Sequence, residues 1–322
     1  MNVKGMMYRV ARPFGVLEMA RFLSRTHPRI LMYHRISPDG APGTIGVTQF
    51  REQIRLIKKS FVPMGMDEMF SAFRKGRLPN NLVVVTFDDG YHDFAEHAFP
   101  VLQECGVPAT LFLTTGFVNG ELWLWPDLVR YAIEETDLKQ LAVTQLGETL
   151  DFEHHPDQAW HTVCDHCLLL DNRQKIDFVD NFCGLLNVSI PREPVPEFRA
   201  VTWPQVRGMV EKGLEVGSHT VSHPILTKLD PSTLRFEIES SRDTIAREIG
   251  VPPKGFCYPN GMPTDFDDAV KDTVRDAGYE YALSAFPGSN PMADRWAINR
   301  YPANSEFATF EKKIYGLEQL IG

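Results

Sequence analysis

Two adjacent carboxylates, Asp88 and Asp89, close the run Val83-Val84-Val85-Thr86-Phe87 and are followed by Gly90. A continuous apolar run of that length predicts a parallel strand buried on both faces, and such a strand has no reason to end in two like charges unless they meet something cationic. A divalent ion bound by one carboxylate would relieve the repulsion and leave the other beside it with a basic lone pair. Taken alone, the Asp-Asp-Gly turn reads better as a cap of the next helix. A second group raises the metal reading above that one. Leu214-Glu215-Val216-Gly217-Ser218 predicts another short strand and runs straight into His219-Thr220-Val221-Ser222-His223. Imidazoles at i and i+4 share one side of a helical turn and can converge on one ion, with an Asp carboxylate completing a three-ligand face that leaves positions open for water.

Elements must carry these groups to one place, and the hydrophobic pattern supplies them. Arg29-Ile30-Leu31-Met32-Tyr33-His34 predicts a first strand ending in a histidine, and Ser37 to Gly46 a Pro- and Gly-rich loop. Val47 to Ser60 has helical spacing, Phe61 to Met66 reads as a strand, and Asp67 as the cap of a short helix. Tyr91 to Cys105 predicts a helix interrupted or started by Pro100 and closed by Gly106, and Ala109 to Thr114 the next buried strand. Residues 121–198 break the rhythm and read as a largely helical insertion, with Cys164-Asp165-His166-Cys167 in a polar stretch and His154 and His155 on a solvated surface. Alternation resumes with a Thr202/Gln205 capping box and then the strand leading to His219. A helix from Asp230-Pro231 stops at Gly250, and Gly255 to Tyr258 predicts a strand emptying into the turn Pro259-Asn260-Gly261. A helix to Gly278, strands at Tyr279–Ala285 and Ala297–Tyr301, and a helix from about Phe307 to Leu320 complete the chain.

Strand alternating with helix puts His34, Asp88-Asp89, His219/His223 and Pro259-Asn260-Gly261 on one rim of an α/β architecture. A three-ligand divalent metal with open positions lowers the pKa of water and polarises a carbonyl. A free carboxylate beside it can take the proton, an unligated histidine can protonate a leaving group, and a backbone N–H in a turn can hold an oxyanion. The inventory predicts metal-assisted hydrolysis of an acyl group.

Composition narrows the alternatives. The chain has 322 residues, a net charge of −9 and 43% hydrophobic residues, which suits a globular protein and argues against a general nucleic-acid binder. Five cysteines, Cys105, Cys164, Cys167, Cys183 and Cys257, are odd in number and unevenly spread, which favours a reducing compartment. No 18-residue apolar span is present. Residues 1–28 form a basic segment (Lys4, Arg9, Arg12, Arg21 and Arg25 against Glu18) with no signal-peptide cleavage pattern, so the expected location is cytoplasmic, with peripheral membrane contact through an interfacial helix as the further expectation.

Thr86-Phe87-Asp88-Asp89-Gly90 and His219-Thr220-Val221-Ser222-His223 resemble the first and second motifs of the NodB-homology polysaccharide deacetylases, carbohydrate esterase family four. The resemblance spans about Ile30 to Gly120 and Val201 to Tyr301. It implies a distorted (β/α) barrel of about seven strands over residues 29–322, interrupted by the 121–198 insertion, and removal of acetyl from an N-acetylated amino sugar in a glycan or glycolipid precursor. It implies Asp88 as general base, Asp89, His219 and His223 as ligands, and Zn2+ as the metal, with Co2+, Ni2+ or Mn2+ as substitutes. Two departures stand out. Phe256-Cys257-Tyr258-Pro259-Asn260-Gly261 falls where the family often has Arg-Pro-Pro-Tyr-Gly, so Cys257 replaces an arginine that steadies the base, and only the backbone N–H of Asn260 survives as an oxyanion donor in that turn. Arg300 is the candidate replacement cation and, with Pro259 and Asn260, a candidate oxyanion or substrate contact. No C-terminal Leu-x-His motif is present, and Leu31-Met32-Tyr33-His34 resembles the biofilm-polysaccharide branch, which implies His34 as general acid. A deformylase or other amidohydrolase with the same metal site, and a catalytically impaired glycan-binding or scaffold protein, are the alternatives.

Overall fold

The computed structural model describes residues 15–288 and 290–317. Half of the basic N-terminal segment, residues 1–14 with Lys4, Arg9 and Arg12, lies outside the described residues, and the last helix, expected to run to about Leu320, is Phe307–Ile314. Among the described residues no helix is long and apolar enough to cross a membrane.

Among the described residues twelve strands run in chain order: β1 (Arg29–Tyr33), β2 (Ile36–Ser37), β3 (Ile45–Gly46), β4 (Val62–Met64), β5 (Leu82–Phe87), β6 (Thr110–Leu113), β7 (Gln140–Val143), β8 (Glu148–Asp151), β9 (Glu215–Ser218), β10 (Gly255–Cys257), β11 (Tyr281–Leu283) and β12 (Tyr301–Pro302). The main sheet follows the order β11-β10-β9-β6-β5-β1-β12, with β4 also on β5, and every pairing in it is parallel. Helices connect most successive strands of this sheet, as parallel crossovers require; no helix is described between β11 and β12. Ile298 bridges to Leu283 of β11 while Tyr301 pairs with Leu31 of β1, so residues 298–302 span the seam of a distorted (β/α) barrel.

Strand parity assigns the two faces. Val83, Val85 and Phe87 of β5 pack outward with Phe50, Ile54 and Ile57 of the Val47–Ser60 helix. Val84 packs inward with Ile30, Phe112, Cys257 and Leu283 from four other strands. All six residues of β5 are buried, and each valine in such a place stabilises the fold by roughly 1.5–3 kcal/mol. Continuing the period of two, Asp88 follows Val84 and Thr86 to the inside, and His34 follows Ile30. The register Tyr33↔Phe87 sets those two residues side by side at the strand ends.

Several sequence expectations need correction. The Phe61–Met66 strand is only Val62–Met64, because Met66 already opens the Met66–Arg74 helix. Asp67 does not cap that helix. Glu215 of β9 accepts the N–H groups of Asp67 (2.8 Å) and Glu68 (3.4 Å), while Asp67 itself accepts from the Tyr281 hydroxyl. The expected 37–46 loop is edged by β2 and β3, which pair with each other. Before Pro100 the chain widens into a π-helix over Phe94–Ala98, which accommodates a residue with no N–H to donate. The insertion is not purely helical: between the Trp125–Glu135 and Pro156–Leu169 helices lies the antiparallel hairpin of β7 and β8, followed by the Asn172–Leu185 helix. Cys164 and Cys167 are buried on the Pro156–Leu169 helix instead of lying in a polar stretch. The late strand is reduced to Tyr301–Pro302, with Arg300 just before it.

Candidate active site

The Asp-Asp-Gly turn separates its two carboxylates by conformation. Asp88 leaves β5 inward, its N–H donating to the Tyr33 carbonyl (3.0 Å). Asp89 has φ 71° and Gly90 φ 93°, so the left-handed turn breaks strand parity and lets Asp89 join the same site. A Cβ on Gly90 would stand 2.7 Å from Leu113 Cδ2, so glycine is required there for space as well as for its φ.

The environments of the two acids push them apart. Arg300 is fully buried and donates Nη1 to Asp88 Oδ1 and Nη2 to Asp88 Oδ2, both at 2.7 Å. Burial alone would raise the Asp88 pKa, but this bidentate guanidinium holds the carboxyl well below the ordinary range. Arg300 also donates to the Ser284 carbonyl (2.8 Å), Thr86 Oγ1 (3.1 Å) and Cys257 Sγ (2.9 Å). With no exposed surface and every contact turned inward, it does not face substrate, which corrects its assignment as a substrate contact. It approaches Asp88 from the barrel seam, beside Cys257. Asp89 has no such cation. Its Oδ1 is buried without a hydrogen-bond partner, and burial together with the neighbouring Asp88 charge raises its pKa well above the ordinary value.

The two histidines converge on that orphaned oxygen. Asp89 Oδ1 lies 3.6 Å from His219 Nε2 and 3.5 Å from His223 Nε2. Burial lowers the pKa of His219 to about 4 and takes that of His223 well below its usual value, so both rings are neutral and offer lone pairs. His219 Nδ1 lies 2.8 Å from the Cys257 carbonyl, which as an acceptor fixes the proton there and leaves Nε2 free. The pair does not sit on a helical turn as expected. Thr220 (φ 71°) and His223 (φ 58°) are left-handed, and the loop is held by Glu237, which accepts the N–H groups of Val221 and Ser222, each at 2.8 Å, and the Ser222 hydroxyl at 2.5 Å.

Asp89, His219 and His223 form a group able to hold a metal ion. Ligands about 2.0–2.2 Å from a tetrahedral ion stand roughly 3.3–3.6 Å apart, which matches the Asp89 to histidine spacings, and a cation would satisfy the orphaned Asp89 oxygen. Asp88, His219 and Cys257 also lie within reach of one another. That set fits a metal less well, because Arg300 already neutralises Asp88 and burial raises the Cys257 thiol pKa well above its usual value.

His34 stands at the rim with its side chain 45% exposed and Nε2 3.9 Å from Asp88 Oδ2. Pro259 and Asn260 share a cavity wall with His223. Asn260 is left-handed (φ 57°), its side-chain amide donates to Asp265 (2.6 Å), and among the described residues its backbone N–H meets no acceptor. Further residues at the site went unread in the sequence. Tyr91, one residue past the Asp-Asp-Gly turn, donates to buried Asp127 (2.8 Å), tying the turn to the insertion, and burial raises Asp127 to about 7. Glu237 carried a legible signal: it interrupts the buried stripe Leu234, Ile238, Ser241 and Ile245 of its helix with an acid.

The sequence model of the family described as polysaccharide deacetylase matches residues 75–144 and 172–282, more than half of the chain and including both motifs. The chain belongs to the polysaccharide deacetylase family. The unmatched residues 145–171 lie within the insertion, across β8 and the Pro156–Leu169 helix. Among curated relatives of this deacetylase-family chain, the poly-beta-1,6-N-acetyl-D-glucosamine N-deacetylase of Staphylococcus aureus (strain MSSA476) is 29% identical over 134 residues, 41% of this chain and 42% of the relative. The match thus spans about two fifths of the length of that relative. Two solved structures share the fold: Streptococcus pyogenes deacetylase PplD in complex with acetate (TM-score 0.59, 18% identity, 91% of this chain and 97% of that one) and IcaB from Ammonifex degensii (TM-score 0.59, 18% identity, 90% and 97%).

Proposed function

We propose that this chain is a metal-dependent hydrolase that removes the acetyl group from an N-acetylated amino sugar of a glycan or glycolipid precursor. The observation that carries the reading is the pairing of an Arg300-held carboxylate, Asp88, with the cation-poor triad Asp89, His219 and His223 in one buried cluster. Family membership supports the reaction class. The donor set of one carboxylate and two neutral imidazoles, with open positions, suits Zn2+.

Asp89, His219 and His223 would hold the ion, which when bound supplies Lewis acidity at the acyl carbonyl and lowers the pKa of water. Asp88, kept ionised and oriented by Arg300, accepts the proton of the attacking water. The Asn260 N–H donates to the developing oxyanion, and Pro259 walls the same side. His34, at the open rim, protonates the leaving amine. One water and one amide become acetate and a free amine.

Acetate release from an N-acetylglucosamine oligosaccharide should stop on treatment with chelator and return on addition of Zn2+. Release that persists in chelator-treated protein freed of metal would reject the metal-dependent reading, and formate release from an N-formyl analogue without acetate release would replace it with deformylation. Because Glu237 holds the loop between the two histidines, Glu237→Ala is expected to weaken Zn2+ binding about tenfold, on the scale of outer-shell supports. Competition with a chromophoric chelator measures this, and unchanged affinity would show that the loop needs no such support.

A further inference from the structure

The Asn172–Leu185 helix of the insertion buries Lys175, Phe178, Val179, Phe182 and Cys183, an apolar stripe at helical spacing whose first position is a lysine. Lys175 is 5% exposed. A lysine so placed ordinarily extends its ammonium to water or meets a carboxylate. Among the described residues this ammonium makes no hydrogen bond or ion pair. It stands over the indole of Trp125, 5.3 Å from the ring centroid. The ring face attracts a cation but provides no full negative charge and no strong hydrogen-bond acceptor. Burial lowers the Lys175 pKa to about 8, which leaves most of the population charged at neutral pH.

Lys175 lines a cavity of about 180 Å³ that the insertion shares with the site already described: Trp125 and Trp160 on one side, His223 and Asn260 on the other. The Trp160 indole is fixed by donation to the Pro126 carbonyl (2.9 Å). The cavity therefore offers flat apolar walls, a positive charge with no ion-pair partner facing it, and a wall shared with the proposed metal site through His223. A neutral sugar hydroxyl would satisfy that charge only in part, whereas an anion completes the pair.

We infer that this cavity is a subsite for an anionic substituent, phosphate or carboxylate, carried by the N-acetylated glycan, which pairs with Lys175 while the adjoining sugar ring lies against Trp125 and Trp160. The inference deepens the deacetylase reading and rests on it for the identity of the glycan. It sets the substrate apart from an uncharged poly-N-acetylglucosamine, which would leave the lysine unpaired.

Tryptophan fluorescence titrations test it without turnover. Wild type and Lys175→Met, each metal-loaded and chelator-treated, are titrated with N-acetylglucosamine, N-acetylglucosamine 1-phosphate and an N-acetylglucosamine–glucuronic acid disaccharide. The wild type should bind at least one acidic sugar about tenfold or more tightly than the neutral one, in both metal states, and Lys175→Met should lose that preference. The arm that binds more tightly tells phosphate from carboxylate. Equal affinity for all three ligands in wild type overturns the inference. So does a preference that survives in Lys175→Met or vanishes with the metal, since the metal would then be the anion's partner. If Lys175→Met fails to fold by circular dichroism, the chelator-treated wild type alone decides between preference and none. Anion preference without acetate release from any substrate would sink the deacetylase reading and leave the subsite standing; acetate release at equal kcat/KM from neutral and acidic substrates would do the reverse.

Discussion

Arg300→Met is expected to abolish acetate release and to cost about 3–5 kcal/mol of folding stability, the range for breaking one side of a buried ion pair. Asp88 and Arg300 are 2% and 0% exposed and meet through two hydrogen bonds of 2.7 Å. Methionine fills most of the volume of the side chain but strands the carboxylate in an environment whose burial already favours the protonated form. A protonated Asp88 cannot serve as base, so turnover and stability fall together. Urea denaturation and an acetate assay read the two effects. The cause is isolated by repeating the substitution in an Asp88→Asn background, where its stability cost should shrink by more than half because no stranded charge remains. An equal cost in both backgrounds would place the role of Arg300 in packing against Thr86, Ser284 and Cys257 instead.

Asp88→Asn and His219→Ala should separate proton transfer from metal holding. The first keeps Asp89, His219 and His223 in place and is expected to lower kcat by about 10²–10⁴-fold, the usual range for a general base, with metal content unchanged. The asparagine oxygen can still accept one hydrogen bond from Arg300, so the fold should survive. His219→Ala removes one of three ligands together with the Nδ1 contact to the Cys257 carbonyl, and should lose both metal and turnover. Metal content by atomic emission, read beside acetate release, distinguishes the pair. Full activity in Asp88→Asn would show that another group takes the proton, and His34, 3.9 Å from Asp88, would be the first to examine.

The parts of this protein legible in its sequence are those decided within a few residues. The valine run of β5 can only be a strand buried on both faces, its period of two carries Asp88 inward, and the Thr202/Gln205 and Asp230-Pro231 starts are capped as their residue types demand. The strand–helix alternation and the two motifs together were enough for a distorted (β/α) barrel with its chemistry on one rim.

Tertiary structure decided what depends on partners far along the chain. Arg300 reaches a carboxylate 212 positions away because the seam of the barrel closes there; the family resemblance nominates it as the replacement cation, but its bidentate grip on Asp88 depends on that closure. The His219–His223 segment has helical spacing, yet Glu237 of the Pro231–Ile249 helix captures the N–H groups of Val221 and Ser222 and holds it as a loop in which Thr220 and His223 are left-handed. Lys175 and the β7–β8 hairpin likewise acquire their meaning only when the insertion folds back onto the rim. Local sequence sets conformation through sterics and periodicity, whereas the pairing of buried charges depends on which distant strands end side by side.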